Sequence, residues 1–210
     1  MFKKDPCLSM DSSSYSIHSP QGIIPSLIKS GSSVLDVGCN TGFIGRALKK
    51  RGVICDGIDI NTEALKKAKK YYRKLYVRDL YSSKLNIGNH KYDYILFMDV
   101  LEHLPRPDLL LTDSIKNLKK SGSIIISLPN VARLEIRLQL LFGKFDYTYG
   151  GILSEDHLRH FTKKQAVKMI SQCGLQVKRI VPTGIGHKIN ILPNLTAFQF
   201  IYICSLKGKR

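Results

Sequence analysis

The stretch V34-L-D-V-G-C-N-T-G-F-I-G45 is an apolar run ending in an acid, then a loop of small residues, then an apolar restart. It predicts a strand, a tight turn and the first turn of a helix. Gly38 and Gly42 let a ligand approach the backbone without Cβ obstruction, and Asn40 adopts a left-handed conformation at modest cost.

Outward from this turn, strand-like and helix-like segments alternate. The pattern predicts strands at 33–38, 53–59, 75–78, 92–98, 123–129, 176–182 and 197–205. Helices are expected near 20–29, 43–51, 62–73, 107–119 and 163–173, the last two stopping at Lys-Ser-Gly and Gln-Cys-Gly. Alternation of this kind implies a parallel sheet covered on both faces, and runs such as YILFM and SIIIS fit strands buried on both sides. The last stretch breaks the rule: loop GIGHKINILPNLT leads to a further strand with no helix between, which permits an antiparallel pair at the sheet edge. Residues 1–19 are Ser-rich and read as a flexible arm, 20–210 as a single domain, and 131–162 as an inserted cap. Within the cap, Leu134, Leu138 and Leu141 share one helical face and are expected to pack on the domain.

No apolar run reaches the roughly 18 residues needed to span a bilayer, and the N-terminus lacks a signal-peptide core, so the expected location is cytoplasmic. The cysteines form no CxxC pair and read as reduced, mostly buried thiols. The formal net charge of +17 suggests polyanionic partners such as nucleic acid or an anionic membrane surface. The densest basic cluster, Lys66 to Lys74, alternates with core residues in one predicted helix and reads as a solvated face, with an anion-binding face as the alternative.

In an open parallel sheet, ligands bind beyond the C-terminal ends of the strands, where this turn lies. The second strand ends in Asp59, about 20 residues after the turn, where a carboxylate suits ribose hydroxyls. A dinucleotide needs GxGxxG, so that its pyrophosphate lies on the helix N-terminus. Here the spacing is Gly-x-x-x-Gly, and Asp36 would aim negative charge at that phosphate. S-adenosylmethionine (SAM), with its ammonium and sulfonium, suits the acid instead.

With VLDVGCNTG, the acid ending GID, VRDL and YDYILFMDVLEHL, the sequence resembles the class I SAM-dependent methyltransferases from about residue 30 to 205. One departure is Asn40 in place of the usual middle glycine. The resemblance implies a Rossmann-like, mostly parallel sheet of seven strands in the order 3-2-1-4-5-7-6, with the last strand antiparallel and helices on both faces. It also implies a cofactor site made of Asp36, Gly38, Cys39, Asn40, Gly42 and Phe43 from the first motif and Asp59, Ile60 and Asn61 from the second. Asp79 and Leu80 would flank the adenine, and Met98 and Asp99 would close the site.

Methyl transfer to a hydroxyl needs help in removing its proton. Glu102 and His103, beyond the fourth strand, are candidates. Asp99, Glu102 and His103 form D-x-x-E-H, similar to the E-x-x-E-H of RNA 3′-terminal 2′-O-methyltransferases and ubiquinone-pathway O-methyltransferases. There a further His completes a divalent-metal site. Asp is one methylene shorter than Glu, so the expectation here is no metal, with Asp99, Glu102, His103 and His157 (or His160) as the set one would use. The segment GKFDYTYGGILSEDHLRHFT is similar to a cap found in small bacterial methyltransferases. It offers His157 as a catalytic candidate and Tyr147, His157 and Arg159 for acceptor contact. His18, His90 and His187 have no evident partners and read as surface residues.

The expected activity is O-methylation of a small-molecule, lipid-linked or glycan hydroxyl. An RNA 2′-O-methyltransferase is the alternative that the charge favours, against the lack of an RNA-binding module or aromatic–basic interleaving. A non-catalytic SAM-binding regulator is the other, against the intact acids and the acid–histidine cluster.

Overall fold

The computed structural model describes residues 16–189 and 191–208, so most of the expected arm, with Cys7, lies outside the described residues. In chain order the elements are α1 (Pro20–Leu27), β1 (Ser33–Val37), α2 (Phe43–Lys49), β2 (Ile54–Asp59), α3 (Thr62–Ala68) and β3 (Lys74–Val77). Then follow β4 (Tyr92–Met98), α4 (Pro107–Ser114), β5 (Leu118–Pro129), α5 (Leu134–Leu141), α6 (Lys163–Gln172), β6 (Leu175–Pro182), α7 (Ile185–Ile189), α8 (Pro193–Thr196) and β7 (Gln199–Leu206). Ser19, Asn61 and Thr162 cap α1, α3 and α6 by accepting a bond from a backbone N–H three residues on, and Gly174 at φ 82° ends the Gln-Cys-Gly stop.

The strands form one seven-stranded sheet in the order β3-β2-β1-β4-β5-β7-β6. Pairings are parallel except those of β7, which runs antiparallel to both β5 and β6. This is the arrangement the resemblance implies. Side-chain alternation divides the core. Leu35, Val37, Ile95, Phe97, Ile124 and Ile126 face the layer of α4 and α6. Val34, Leu96 and Ile125 face α1, α2 and α3.

Three local expectations are corrected. Lys-Ser-Gly does not stop a helix: α4 ends at Ser114, a 3-10 turn spans Ile115–Asn117, and 120–122 lie inside β5. There Asn117 donates to the carbonyls of Gly88 and His90, Lys119 pairs with Asp93 at 2.8 Å, and the ladder shifts register. These contacts fix an extended backbone that the local composition did not announce. Between β6 and β7 the chain forms α7 and α8 rather than a plain loop. The leucine face of α5 is not packed, since Leu134, Leu138 and Leu141 are exposed and it is Ile136 that joins Ile152 and Leu153 in a small separate core.

The described cysteines are free and buried, and among the described residues no helix is long and apolar enough to cross a membrane.

A Cβ built on Gly38, at φ 76°, would lie 2.5 Å from Val100 Cγ2. Gly38→Ala therefore meets both left-handed strain and overlap, together about 3 kcal/mol. A thermal midpoint lower by about 10 °C is expected in a melting scan.

Candidate active site

The turn after β1 is built on left-handed backbone at Gly38, Asn40 (φ 44°) and Gly42 (φ 87°). The amides of Gly38 and Cys39 donate to the carbonyl of Ile58, which fastens the turn to β2. The Asn40 amide donates to Asp59 Oδ2 at 2.8 Å, and the Asn61 amide to Oδ1 at 2.9 Å. Each carboxylate oxygen has two lone pairs. Asp59 is thus held rigid by two backbone donors and keeps one acceptor site per oxygen.

Beside it opens a cavity of about 380 Å³, lined by Gly38, Asn40, Asp59, Ile60 and Asn61 on one side and by Asp79, Leu80, Asp99 and His103 on the other. The residues fit SAM on two observations. Asn40 Oδ1 is buried without a hydrogen-bond partner, an acceptor left for a ligand donor such as the ammonium. The spare lone pairs of Asp59 match two adjacent ribose hydroxyls. Asp36, Cys39, Gly42, Phe43 and Met98, expected at the cofactor, do not line this cavity. Cys39 is buried against Gly57, and Gly42 packs on Ala68 and Tyr72. Phe43 and Met98 pack beneath, in the core under α2.

Asp36 is the informative case. Side chains alternate along β1, so Asp36 shares the face of Val34 and turns beneath α2 instead of along the strand axis toward the ligand. Its Oδ2 accepts from the Tyr72 hydroxyl at 2.5 Å, and that hydroxyl accepts from the Gly45 amide at 3.1 Å. Burial pushes the carboxyl up from 3.8 to about 6, with the Tyr72 bond opposing and the Asp59 charge adding.

A second cavity, about 780 Å³, opens between β4, β5 and β7, the cap and the start of α1. Asp99 and His103 line both cavities and mark where they meet. Asp99 sits at φ 52°, and its Oδ1 accepts from Ser127 Oγ at 2.9 Å and Gln199 Nε2 at 2.8 Å. Burial raises its pKa against these bonds.

Glu102 is fully buried with neither carboxylate oxygen hydrogen-bonded. Desolvation, and then the Asp99 charge, push it well above its ordinary value. His103 Nδ1 lies 3.2 Å from the Asp156 carbonyl and His157 Nδ1 lies 3.1 Å from the Ile152 carbonyl. A carbonyl only accepts, so the network assigns the proton to each Nδ1 and leaves each Nε2 with a lone pair. The two rings meet edge to face at 4.8 Å. Burial lowers the His157 pKa, which favours the neutral ring. Ligand atoms of Glu102, His103 and His157 lie within 4.8 Å of one another, a set that Asp99 does not join.

Tyr147 and Arg159 lie outside the second cavity. Tyr147 is exposed, its ring near Phe145. Arg159 fastens the cap: its amide donates to the Glu102 carbonyl and its guanidinium to that of Pro105. The sequence reading missed Ser127 and Gln199, although each is a polar residue inside an apolar strand, which is the signal that finds such positions. It also missed a histidine pair, as His18 and His187 approach at 2.9 Å between Nδ1 atoms near the cavity mouth. His90 is partnered too, stacking edge-on against Tyr92.

A family profile described as a methyltransferase domain matches residues 19–179. The chain belongs to this methyltransferase family. Ubiquinone biosynthesis O-methyltransferase of Actinobacillus pleuropneumoniae is 32% identical over 109 residues, covering 48% of this chain and 47% of that protein. The chain thus spans about half the length of the curated relatives it matches first. A SAM-dependent methyltransferase of Thermotoga maritima, described as a possible histamine N-methyltransferase, superposes with TM-score 0.67 at 14% identity, over 89% of this chain and 87% of that one. Magnesium protoporphyrin IX methyltransferase of Synechocystis, solved with bound S-adenosylhomocysteine, gives 0.63 at 17% identity, over 88% and 78%. At these identities the two structures speak for the fold.

Asp36 gives a pH test. Its folded pKa is raised, so its ionisation opposes folding: the penalty is absent below about 3.8, grows as pH rises to about 6, and is complete above. A gap of about two pH units at about 1.4 kcal/mol each makes this about 3 kcal/mol. Asp36→Asn keeps an acceptor for Tyr72, so the stability gap between variant and wild type should widen in the variant's favour from pH 4 to 6 in denaturant titrations.

Proposed function

We propose that this protein transfers a methyl group from SAM to a hydroxyl of a small-molecule, lipid-linked or glycan acceptor. The observation that carries the reading is the junction at Asp99 and His103, where a donor-sized cavity meets a larger one lined by imidazoles with free Nε2 lone pairs. Bound in the smaller cavity, SAM supplies an electrophilic methyl on its sulfonium. Asp59 holds the ribose, and Asn40 the amino-acid end. His103 Nε2 would accept the hydroxyl proton, becoming imidazolium, while the sulfonium of bound SAM would supply the methyl and depart as the neutral thioether. His157 orients the hydroxyl from the cap. The name of the ubiquinone-biosynthesis relatives supports oxygen over nitrogen as the acceptor atom.

The mouth of the larger cavity supports a lipid-linked acceptor. Tyr149, Ile185 and Phe198 line it and are exposed, and Leu138, Leu141 (74% exposed) and Phe142 (76%) continue the apolar surface along the cap. An apolar tail lying there, or a membrane bearing it, would cover surface that otherwise meets water.

A metal-assisted variant has its own observation. Two unpartnered buried carboxylate oxygens on Glu102 with two imidazole Nε2 lone pairs make a donor set suited to a divalent cation. Glu102, His103 and His157 would hold it, and it would acidify the acceptor hydroxyl.

Asp59→Ala should weaken SAM binding at least tenfold by calorimetry, and unchanged affinity removes the ribose assignment. His103→Ala should keep SAM affinity within about twofold while turnover of labelled SAM on a cell-extract acceptor drops about a hundredfold; an unaffected rate demotes His103 to structure. Loss of activity on chelation, regained with a divalent cation, favours the metal-assisted variant, and full activity in chelator rejects it.

A further inference from the structure

The helices over β1–β3 carry a charge distribution that methyl transfer does not use. On α2, Arg46, Lys49 and Lys50 fall at i, i+3 and i+4 and so share its outer face. On α3 and the 3-10 turn Lys69–Tyr71 that extends it, Lys66 and Lys67 are followed one turn later by Lys69 and Lys70. Folding joins the two rows: Lys49 Nζ donates to the Lys70 carbonyl at 2.6 Å across 21 residues of sequence.

Tyr71 lies between the rows. Lys70 is 5.1 Å from its ring centroid; desolvation pushes the Tyr71 pKa up, but Lys70 and Arg46 acting together on its hydroxyl bring it below its ordinary value. The acids nearby do little to balance these cations. Asp36 and Asp56 are buried and committed to Tyr72 and to Arg73 with Tyr92, and Glu63 pairs with Lys66. Like charges gathered this closely repel one another, and a polyanion relieves that repulsion.

We propose that the α2–α3 face is a docking surface for a nucleic acid, bound through its phosphate backbone and separate from both cavities. The cavities open at the C-terminal ends of the strands, whereas Lys49, Lys50, Lys69 and Lys70 lie at the far ends of helices that run back from that edge. The polymer is therefore a partner that holds the enzyme, and the face needs no part of the acceptor chemistry above.

Two features favour nucleic acid over a bilayer. Between Phe43 and Lys74 the exposed large apolar side chains are Ile54 and Ile60 alone, so the face has little to insert into lipid, unlike the cap. Tyr71, flanked by cations, adds an aromatic ring of the kind on whose face unpaired bases stack.

The test uses the full chain and a fluorescein-labelled, mixed-sequence 20-nucleotide single-stranded RNA, read by anisotropy from 50 to 300 mM salt. About five to six phosphate contacts predict a log–log salt slope of about −4. Lys49→Gln/Lys69→Gln/Lys70→Gln should weaken binding at least tenfold and flatten the slope by about 2, while SAM affinity measured in the same samples stays within twofold and certifies the fold. A charge-matched control, Lys163→Gln/Lys164→Gln/Lys168→Gln, should move RNA affinity less than threefold. Equal losses in the two variants would reduce the effect to net charge and overturn the proposal. So would vesicles of phosphatidylglycerol that depend on Lys49, Lys69 and Lys70 when the RNA does not.

Discussion

The left-handed backbone at Gly38, Asn40 and Gly42 is the constraint on which the site depends. It ends β1 sharply enough for the Asn40 amide to face β2, where Asp59 waits as acceptor. Without that bend the carboxylate would be free to rotate and would pay rotamer entropy on meeting a ligand. With it, Asp59 is locked by Asn40 and Asn61 before any ligand arrives. Asn at the centre is compatible with this geometry because its short polar side chain tolerates positive φ better than other L-residues. It also adds what glycine lacks, a carbonyl oxygen buried without a partner at the cavity wall.

Buried acids follow one rule with different outcomes. Asp36, Asp99 and Glu102 are all raised by desolvation, but they differ in what compensates them. Asp36 has Tyr72, and serves the join between the turn and α2. Asp99 has Ser127 and Gln199, which bind β4 to β5 and β7 across the sheet. Glu102 has nothing. An unpaired buried carboxyl costs several kcal/mol and persists only where the surroundings impose it. Arg159 ties the cap to the backbone of the same loop, at the Glu102 and Pro105 carbonyls. Those bonds give the arginine a structural part at the base of the cap.

The donor half was legible in the sequence because its determinants are local. Glycines, an Asn that tolerates positive φ and an acid at or near the end of each of β1 to β4 are properties of a few consecutive residues, and the sheet order follows from alternation plus the family likeness. Asp36 is placed by alternation along β1, which puts its side chain on the face of Val34, against Tyr72 and away from the lining of the smaller cavity. The acceptor half resisted for a different reason. Its cavity is lined from α1, the loop after β4, the cap and β7, and partners such as Gln199 and Asp99 are 100 residues apart. The Lys-Ser-Gly error has the same origin, since Asn117 and the Lys119–Asp93 pair decide the backbone through contacts outside any local window.

This division separates the two halves of the site in the chain. In the proposed reading, donor contacts come from the loops after β1, β2 and β3, which line the smaller cavity and are fixed largely by backbone hydrogen bonds. Acceptor contacts in the same reading come mainly from the cap, which has its own small core of Ile136, Ile152 and Leu153, and from the loop between β6 and β7. Changes there leave the donor side intact, because the two halves meet at Asp99 and His103. Asp99 is anchored from the sheet by Ser127 and Gln199, and His103 from the cap through Asp156. The junction therefore reads the position of both halves, and a cap displaced by a poorly fitting acceptor would turn the His103 ring away from the hydroxyl. If His103 is the base proposed above, acceptor selection acts on turnover as well as on binding, since the cap segment that would touch the acceptor also orients the His103 ring.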